Sequence, residues 1–521
     1  MPKSRHLLFV LALLAAVSPA VAGTPRSVFV MAKALDDLVS LDPAEVFEFS
    51  GMEINANLYQ RLFRANPDDP ANPVGEIVES WQVSHDGRVF TFTLRDDLTF
   101  PGDRSIEAAD AVFSLRRGVI LNKAPSFILT QLGLTAASVQ DRIRALDARR
   151  FVLGLDRAYA PSLVLNVLSA GIASVVDREA VAGRKSDWLR SHAAGSGPFT
   201  LKRWQPGEYL LLDANPEYSG GKPALKRVVL RDIREPATQR LLLEAGDIDA
   251  ARNLGPDQIA ALAKDENIRV LTVPRARLFY MALNQRHPLL GRPEVRRALR
   301  QLVDYEAIAA TLLAGRASAH QSFLPKGFFA ALEERPFAYR PAQAKALLAE
   351  AGLADGFSVG MDVRSDPVMM LVAQAIQASM AEAGVAVEIL PGTGKQVLTR
   401  YRARRHEIFI GQWGPDYLDP HTNASTFARN PDNSDDARER TLAWRNGWEI
   451  PEITALAEQA VLERDTARRA KIYGELQRRI QADSPFIVLF QENELIALTA
   501  GVKGFTAGLT SDQTLYHGIS K

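Results

Sequence analysis

The chain contains no cysteine among its 521 residues. This absence excludes disulfide bonds and thiol catalysis, and we expect no lipid anchor, because that attachment requires an N-terminal cysteine. Stability must therefore come from buried apolar cores. A chain of this length is too long for a single core, so we expect at least two domains.

The first 22 residues have the layout of a secretory signal peptide. Lys3 and Arg5 form a basic start, residues 7–17 are apolar, and residues 20–22 (Ala-Val-Ala) form a small-residue cleavage pattern. The apolar run of about 11 residues is well short of the roughly 20 that a membrane-spanning helix needs. We therefore expect cleavage at this motif, a mature protein that begins at Gly23, and a free periplasmic location.

Charge and histidine spacing exclude several classes of partner. Lysine and arginine total 62, aspartate and glutamate total 61, and loss of a leader with two basic residues leaves a net charge near −1. This balance does not favour nucleic acid or an anionic membrane surface. The eight histidines are scattered without metal-ligand spacing. We expect no nucleic-acid partner, no bound metal and no cofactor.

Helical and strand patterns alternate along the chain, which predicts an α/β architecture. The turn signal at residues 86–87 (Asp-Gly) precedes a run of β-forming residues, as in a hairpin. Pro341 and Gly352 bracket an apolar repeat of helical spacing. The polar and charged stretch at residues 430–446 is predicted to be an exposed loop.

Catalytic signatures are missing from the sequence. Ser196 lies between two glycines but lacks the spacing of a nucleophile elbow. Residues 392–395 (Gly-Thr-Gly-Lys) lack the upstream glycine and the following hydroxyl residue of a phosphate-binding loop, so they predict a turn after a strand at 385–390. We expect no catalytic residues and no enzyme activity.

Short motifs occur in a fixed order along the chain. They are Leu41-Asp42-Pro43, Glu79-Ser80-Trp81, Asp86-Gly87, Asp110-Ala111-Val112, Gly195-Ser196-Gly197-Pro198, Asn215-Pro216, Gly246-Asp247, Arg296-Arg297-Ala298 and Glu350-Ala351-Gly352. In this order and spacing, the chain resembles the family 5 extracellular solute-binding proteins, which include oligopeptide- and dipeptide-binding proteins, over nearly its whole mature length. Most of these residues are predicted to be structural, with Trp81 in a core and Gly195 and Gly197 in a turn.

The resemblance implies an α/β fold of the two-lobed periplasmic-binding-protein type, with a hinge and an extra inserted subdomain. The first lobe would consist of residues 23–50, 191–275 and 491–521, with residues 51–190 inserted as the subdomain. Residues 276–490 would form the second lobe. Hinge closure would enclose a small molecule or short peptide between the lobes. The partner would be the inner-membrane permease of an ABC importer, and by the same analogy we expect a monomer.

Residues 412–420 carry the strongest local signal for ligand binding. They follow apolar residues 408–410, which predict a buried strand, and strand ends in open α/β lobes present ligand contacts. In peptide-binding relatives, the aspartate three residues after this tryptophan holds the ligand's α-ammonium, and the resemblance places that role on Asp416. Trp413 and Tyr417 are further candidates, because aromatic rings offer apolar contact area. Asp416 could instead be a turn residue, and Trp413 could line the hinge.

Arg364 is the candidate for the ligand's carboxylate. The resemblance places it in the loop where dipeptide-binding relatives carry such an arginine, and a planar guanidinium can hold both oxygens. The residues around it match the family pattern poorly, so Arg364 could instead pair with Asp366. Pro415 has no N–H to donate, so one hydrogen bond of a backbone clasp on a peptide cannot form beside Asp416.

The leading hypothesis is a periplasmic protein that binds a peptide or peptide-like solute for an ABC importer. The same fold could take a non-peptide solute, such as nickel, haem, a sugar, an opine or another amine. A ligand-presenting chaperone or sensor is a further alternative, and an exported hydrolase is supported only by secretion and size. An acid opposite an arginine in the pocket would favour a short peptide, whereas an aromatic lining would favour a sugar.

Overall fold

The structure, a computed structural model, describes residues 23–521, and the predicted signal peptide lies outside the described residues. The strands are β1 (Val28–Lys33), β2 (Phe63–Arg64), β3 (Val74–Gly75), β4 (Val78–Val83), β5 (Val89–Leu94), β6 (Thr99–Phe100), β7 (Arg104–Ser105), β8 (Ile143–Ala145), β9 (Arg150–Gly154), β10 (Phe199–Gln205), β11 (Tyr209–Ala214), β12 (Arg227–Asp232), β13 (Ala250–Ala251), β14 (Ile268–Leu283), β15 (Ala317–Ala319), β16 (Phe357–Arg364), β17 (Val385–Gly392), β18 (Ile408–Trp413) and β19 (Phe486–Thr499). The α-helices are α1 (Phe49–Leu58), α2 (Ala108–Leu121), α3 (Phe127–Thr130), α4 (Val139–Arg142), α5 (Pro161–Val167), α6 (Pro236–Glu244), α7 (Pro256–Leu262), α8 (Pro293–Arg300), α9 (Tyr305–Ala307), α10 (Pro341–Glu350), α11 (Pro367–Ala381), α12 (Gly394–Arg402), α13 (Pro420–Phe427), α14 (Leu442–Arg445), α15 (Pro451–Leu462) and α16 (Thr466–Ala482).

One large mixed sheet runs through the molecule. Its strand order is β10-β11-β12-β1-β13-β19-β14-β18-β16-β17, and β15 pairs with β19 beside this path. Strand β1 is parallel to β12 and β13, and β16 is parallel to β17 and β18. The two central strands, β14 and β19, are antiparallel to each other. Two groups of strands, each with parallel pairs, are thus joined through one long antiparallel pair.

The pairing of β14 with β19 is interrupted near its middle. The register shifts between Pro274 and Leu278, and again between Phe279 and Tyr280. Proline cannot donate a backbone hydrogen bond, and an irregular stretch of this kind bends a strand locally. The wider interruption, at residues 275–277, lies where the chain passes from one group of strands to the other.

Alternate side chains of β14 pack into two different cores. Phe279, Met281 and Leu283 belong to one buried apolar cluster, whereas Tyr280 and Ala282 belong to another. Successive residues of a strand point to opposite faces of its sheet, so both faces are covered here. This double burial explains why the end of β14 is almost continuously apolar in sequence.

Residues 51–190 contain a second, four-stranded sheet of order β4-β5-β9-β8. The apolar core beside it is built from residues between 62 and 175, joined by Tyr417 and Val461 from the distant part of the chain. This segment therefore has its own core, and those two side chains connect it to the residues that follow β18.

Two local predictions are confirmed by the structure, and a third is confirmed in part. Strands β4 and β5 form the predicted antiparallel hairpin, with Gly87 at a φ of 73° in its turn. Helix α10 begins at Pro341 and is followed by Gly352 at a φ of 75°, the left-handed conformation that favours glycine. The predicted strand is found and ends at Gly392, but a helix cap follows it in place of a turn: α12 begins at Gly394, and Thr393 caps it by accepting from the backbone N–H of Gln396.

Two local predictions are wrong, at least in part. Trp81 is 38% exposed, although its ring packs edge-on against the buried Phe63 and it pairs across the sheet with the buried Phe92. The stretch at 430–446 is irregular as predicted, but its second half buries Leu442 and Trp444 in helix α14. Tertiary contacts bury these side chains in a segment whose overall composition is polar.

Candidate functional site

A cavity of about 510 Å³ lies where the interrupted part of the β14–β19 pair meets the end of β18. Its volume is within the range of small-molecule binding sites, which is roughly 300–1,000 Å³. Apolar and aromatic side chains such as Phe47, Phe49 and Ile128 form part of its wall. The wall also carries seven carboxylates and five cationic side chains: Asp36, Asp37, Asp366, Asp416, Glu492, Glu494, Asp512, Lys33, Arg252, Arg275, Arg277 and Arg316.

Asp416 lies in the loop between β18 and α13 and lines the cavity. Its backbone N–H donates to the hydroxyl of Thr422 at 3.1 Å, and that hydroxyl lies 3.5 Å from the carboxylate. Among residues 23–521, no lysine or arginine nitrogen lies within 4.0 Å of this carboxylate. Burial raises the pKa of Asp416 to about 6, and the hydrogen bond from Thr422 offsets only part of the effect. The site therefore offers a partly buried carboxylate that lacks a cationic partner.

A buried ion pair holds the loop that carries Asp416. Both carboxylate oxygens of Asp419 accept from the guanidinium of Arg469, at 2.7 and 2.8 Å, and both side chains are fully buried. Asp419 also accepts from the backbone N–H of His421 at 2.9 Å and so caps α13. Arg469 donates further to the hydroxyl of Ser162 at 2.9 Å. These contacts attach the loop to helix α16 and, through Arg469, to residues 51–190.

The two aromatic candidates of this loop have different surroundings. Tyr417 lines the cavity, and its hydroxyl donates to the side chain of Gln131 at 2.9 Å. Trp413 is not among the residues that line the cavity; its indole N–H donates to Asn423 at 3.2 Å, and its ring packs edge-on against Phe427. The structure thus brings Asp416 and Tyr417 together at the cavity wall and places Trp413 behind it.

Arg364 lies at the end of β16, outside the lining of the cavity. Its side chain is 66% exposed, and its Nε is 4.0 Å from Asp366, which is the pairing that the sequence left as an alternative. Asp366 does line the cavity, where it caps α11 by accepting from the backbone N–H of Met369 at 2.9 Å. The structure therefore does not bring Arg364 together with Asp416.

A buried network of charges forms another part of the cavity wall. Glu53 accepts from Lys33 at 2.7 Å and from Arg252 at 2.6 Å, and Arg252 also donates to Glu494 at 2.5 Å. Arg275, at the interruption of β14, donates its Nε–H to Glu494 at 2.8 Å. Burial by itself would raise the pKa of Glu53, but Arg252 and Lys33 outweigh it and hold the pKa at about 2. These charges are satisfied by one another.

Two more cationic residues of the wall were not predicted from the sequence. Arg277 pairs with Glu492 at 3.1 Å and lies over the ring of Phe49, 4.3 Å from its centroid. Arg316 precedes β15, and one guanidinium N–H donates to the backbone carbonyl of Leu254 at 3.0 Å. No local motif marks either arginine, because each reaches the cavity only through the pairing of β14 and β15 with β19.

Metal-ligand groups and membrane-spanning helices are both missing from the described part of the chain. Across residues 23–521, no group of three or more histidine, aspartate or glutamate side chains is arranged to hold a metal ion. No helix in the same range is both long and apolar enough to cross a membrane.

Gly414 and Pro415 also line the cavity, so the missing N–H of Pro415 is at the site itself. The arrangement can bind a polar ligand through fixed charges.

Two groups of strands, a long connecting pair and a charged cavity at their junction define a binding protein of the two-lobed type. Comparison with known proteins identifies the family. The family model described as "Bacterial extracellular solute-binding proteins, family 5 Middle" matches residues 72–435. The chain belongs to this family of extracellular solute-binding proteins.

Individual relatives match almost the whole chain. The "Probable D,D-dipeptide-binding periplasmic protein DdpA" of Escherichia coli (strain K12) is 28% identical over 490 residues, which cover 93% of this chain and 92% of the relative. "Di/tripeptide-binding protein 2" of Pseudomonas aeruginosa (strain UCBPP-PA14) is 26% identical, with 97% of each chain covered. The solved structure of HbpA2 from Haemophilus parasuis has a TM-score of 0.81 and 24% identity, covering 95% of this chain and 99% of that one. The predicted family and the two-lobed α/β fold are confirmed.

Proposed function

We propose that this protein binds a short peptide or peptide-like solute in the cavity and delivers it to the permease of an ABC importer. The observation that carries the proposal is Asp416, a partly buried carboxylate at the cavity wall with no cationic partner within 4.0 Å among the described residues. The ammonium group of a ligand would supply that partner through charge-assisted hydrogen bonds. The two curated relatives are named for dipeptides and tripeptides, which supports the same ligand class.

The division into lobes forms part of the proposal. The first lobe comprises residues 23–50, 191–275 and 491–521, with residues 51–190 inserted, and residues 276–490 form the second lobe. The interruption of the β14–β19 pair supports a hinge at the border between them, because an irregular stretch bends more readily than a regular ladder. We further propose a monomer that is exported by its leader, cleaved after Ala22 and free in the periplasm.

The other predicted ligand contacts differ in support. Tyr417 lines the cavity beside Asp416, so a direct contact with ligand fits its position. Trp413 supports the loop from behind through Asn423, and its contact with ligand stays a prediction. The carboxylate role of Arg364 also stays a prediction, and it requires this exposed side chain to turn toward the cavity.

The experiment is a thermal-melting panel on the mature protein, refolded to remove bound ligand. Di- to pentapeptides, simple amines, sugars, an opine, haem and nickel are added in turn. A ligand that binds only the folded state at a hundredfold excess over Kd stabilises it by about 2.7 kcal/mol. We expect upward shifts with short peptides. In Asp416→Asn, the affinity should fall by about 3–5 kcal/mol, because the buried ammonium loses its charged partner.

Asp36→Asn is the matched control, because it removes a different, exposed carboxylate from the same cavity wall. It should keep most of the affinity. Equal losses in both variants would mean that the net negative charge of the cavity matters, and not the position of Asp416. Shifts only with non-peptide compounds would contradict the peptide cargo while leaving the family assignment intact.

A further inference from the structure

Three phenylalanine side chains remain open to solvent where the start of α1 approaches α3. Phe49 is 50% exposed, Phe127 is 43% exposed, and Phe47 is half-buried. Phe47 packs edge-on against Phe127, with 5.9 Å between the ring centroids. Single exposed apolar side chains are common on protein surfaces, but a contiguous group of them beside a cavity indicates a binding surface. We call Phe47, Phe49 and Phe127 the aromatic corner.

The aromatic corner forms part of the cavity wall. Phe47 and Phe49 line the cavity, and so does Ile128 of α3. The guanidinium of Arg277 lies over one face of the Phe49 ring, 4.3 Å from its centroid. This contact holds the ring in place, and the exposed half of Phe49 still offers apolar surface to a ligand.

The aromatic corner also lies beside the loop that carries Asp416. Tyr417, the next residue of that loop, donates its hydroxyl to the side chain of Gln131 at 2.9 Å. Gln131 directly follows α3, the helix that carries Phe127 and Ile128. This hydrogen bond joins the two parts of the wall. An apolar surface therefore adjoins the carboxylate that we propose to bind the ligand's ammonium group.

We infer that the aromatic corner binds a large apolar side chain on the first residue of the ligand. This inference rests on the proposed function and narrows it to peptides that begin with an aromatic or large aliphatic residue. In a peptide, the α-ammonium group and the first side chain are attached to the same carbon atom. A ligand held by Asp416 therefore has its first side chain close to the loop of Tyr417 and to α3. An apolar side chain there would remove ring surface from water, whereas a charged one would lose hydration without gaining a partner from the rings.

The test compares peptides of identical composition that differ only in the position of one side chain. The probes are Phe-Ala, Ala-Phe and Ala-Ala, with Phe-Ala-Ala and Ala-Ala-Phe as a longer pair, titrated by calorimetry into the refolded mature protein. We expect the peptide that begins with phenylalanine to bind about tenfold to a hundredfold more tightly than its isomer, the range for burying one large apolar side chain. Equal affinities within both isomer pairs would overturn the inference without using any variant.

Variants assign the preference to the aromatic corner. Phe49→Ala should remove most of the preference for an N-terminal phenylalanine, whereas Phe49→Leu keeps an apolar side chain and should retain most of it. Both variants should fold, because Phe49 is half-exposed. Phe47→Ala should lower the preference as well and provides a second reading. Leu241→Ala is the control, because it shortens an exposed apolar side chain on α6, outside the cavity lining, and it should behave as wild type.

Two results would separate this inference from the function it rests on. If Phe49→Ala and Phe47→Ala both keep the full wild-type preference, or if Leu241→Ala loses it, the first side chain is not bound at the aromatic corner although peptides bind. If none of the five peptides binds the wild-type protein, the proposed peptide cargo fails and the role of the aromatic corner fails with it.

Discussion

At the scale of single residues, burial separates the two charged candidates that the sequence offered. Asp416 is partly buried at the cavity wall, and burial raises its pKa to about 6. Arg364 is 66% exposed and lies near Asp366. Both residues were predicted from the same family resemblance, and the extent of side-chain burial is what distinguishes them. Asp416 is therefore the group whose ionisation should control binding.

The pH dependence of binding follows from that raised pKa. An ammonium ligand requires the ionised carboxylate, so binding below pH 6 has to displace a proton from Asp416. We expect peptide affinity to be highest between about pH 6 and pH 8, because the α-ammonium of a peptide loses its proton near pH 8, and to fall toward tenfold per pH unit well below 6. Calorimetric titrations from pH 4.5 to 8 would measure it, with Asp416→Asn expected to show a weak and nearly flat profile.

The raised pKa of Asp416 has the opposite effect on the stability of the unliganded protein, which decreases as the pH rises. The folded state holds the proton of Asp416 up to about pH 6, whereas the ordinary pKa of the group is 3.8. The stabilisation from this group is thus complete below pH 3.8 and is lost as the pH rises through about 6. A peptide affinity that does not fall below pH 6 would contradict the role of Asp416 as the ammonium-binding group.

Gly197 shows how a small residue is required by tertiary contact. A side chain at this position would place its Cβ only 2.5 Å from the backbone carbon of Leu58, with Gly197 donating its own N–H to the carbonyl of Leu58 at 3.0 Å. The sequence predicted a turn here, but the reason for glycine is this close approach of two backbones.

Gly197→Ala should therefore destabilise the protein by about 1–3 kcal/mol, the usual cost of forcing extra volume into a packed site. Gly501→Ala is the matched control, because nothing lies within 4 Å of a Cβ at Gly501 and its φ is not left-handed. Urea unfolding of both variants gives the comparison. A change no larger in Gly197→Ala than in the control would mean that the backbone of Leu58 moves away without cost.

At the scale of elements, Asp416 is positioned by β18, by the loop that follows this strand and by α13. The strand is held by β14 and β16, and the helix begins where Asp419 caps it. Arg469 of α16 then fixes Asp419 from outside the unit. Asp416 is thus carried by a loop whose two ends are rigid, and such a loop keeps a binding group in place before ligand arrives.

Breaking the Asp419–Arg469 pair should be costly. Arg469→Met leaves the buried carboxylate of Asp419 without its partner, which is expected to lower the free energy of unfolding by about 3–5 kcal/mol. Ser162→Ala removes only one hydrogen bond to Arg469 and should cost about 1 kcal/mol. Adding Asp419→Asn to Arg469→Met should recover part of the loss. Urea unfolding measures all three, and similar losses for Arg469→Met and Ser162→Ala would show that the pair contributes little.

At the scale of the whole molecule, a buried charge network joins distant parts of the chain. Glu53 lies on α1, at the start of the inserted segment, whereas Arg252 follows β13 and Glu494 lies on β19, so the network joins the insertion to two segments of the first lobe as proposed. Tyr516, near the end of the chain, donates its hydroxyl to Glu53 at 2.5 Å. This network therefore relies on the ionised carboxylates of Glu53 and Glu494.

Acid should unfold the protein through these carboxylates. Arg252 and Lys33 outweigh burial and lower the pKa of Glu53 to about 2, and arginines lower the pKa of Glu494 in the same way. A lowered pKa contributes stability that is present above the ordinary value of 4.5 and is lost as the pH falls toward 2. We expect a steep decline of the urea midpoint over that interval, with a shallower slope in Glu494→Gln.

A surface variant, Asp436→Asn, serves as the control for that slope. Asp436 is exposed, so neutralising it should leave the pH dependence as in the wild-type protein. The comparison concerns slopes, because Glu494→Gln also lowers stability at neutral pH by leaving its arginines with less charge to pair with. Parallel slopes in all three proteins would mean that other acidic groups dominate acid unfolding.

Much of the local structure could be predicted from the sequence. The hairpin at residues 86–87, helix α10 and the strand before Thr393 all follow from turn residues and periodicity that lie within a few positions of one another. The position of Asp416 was also predictable, because it belongs to a short motif at the end of a strand. Trp81 and Trp444 were not placed correctly, because their exposure depends on partners far along the chain.

The sequence by itself determined the α/β class, the family, and the one carboxylate of the site that a local motif marks. Only the tertiary structure decided which cations surround it. Arg252 lies 199 positions from Glu53 and 242 from Glu494, and Arg316 reaches the cavity through pairing of β15 with β19. Local patterns encode periodicity and turns, whereas the pairing of charges around the cavity depends on strand order and burial across the whole sheet.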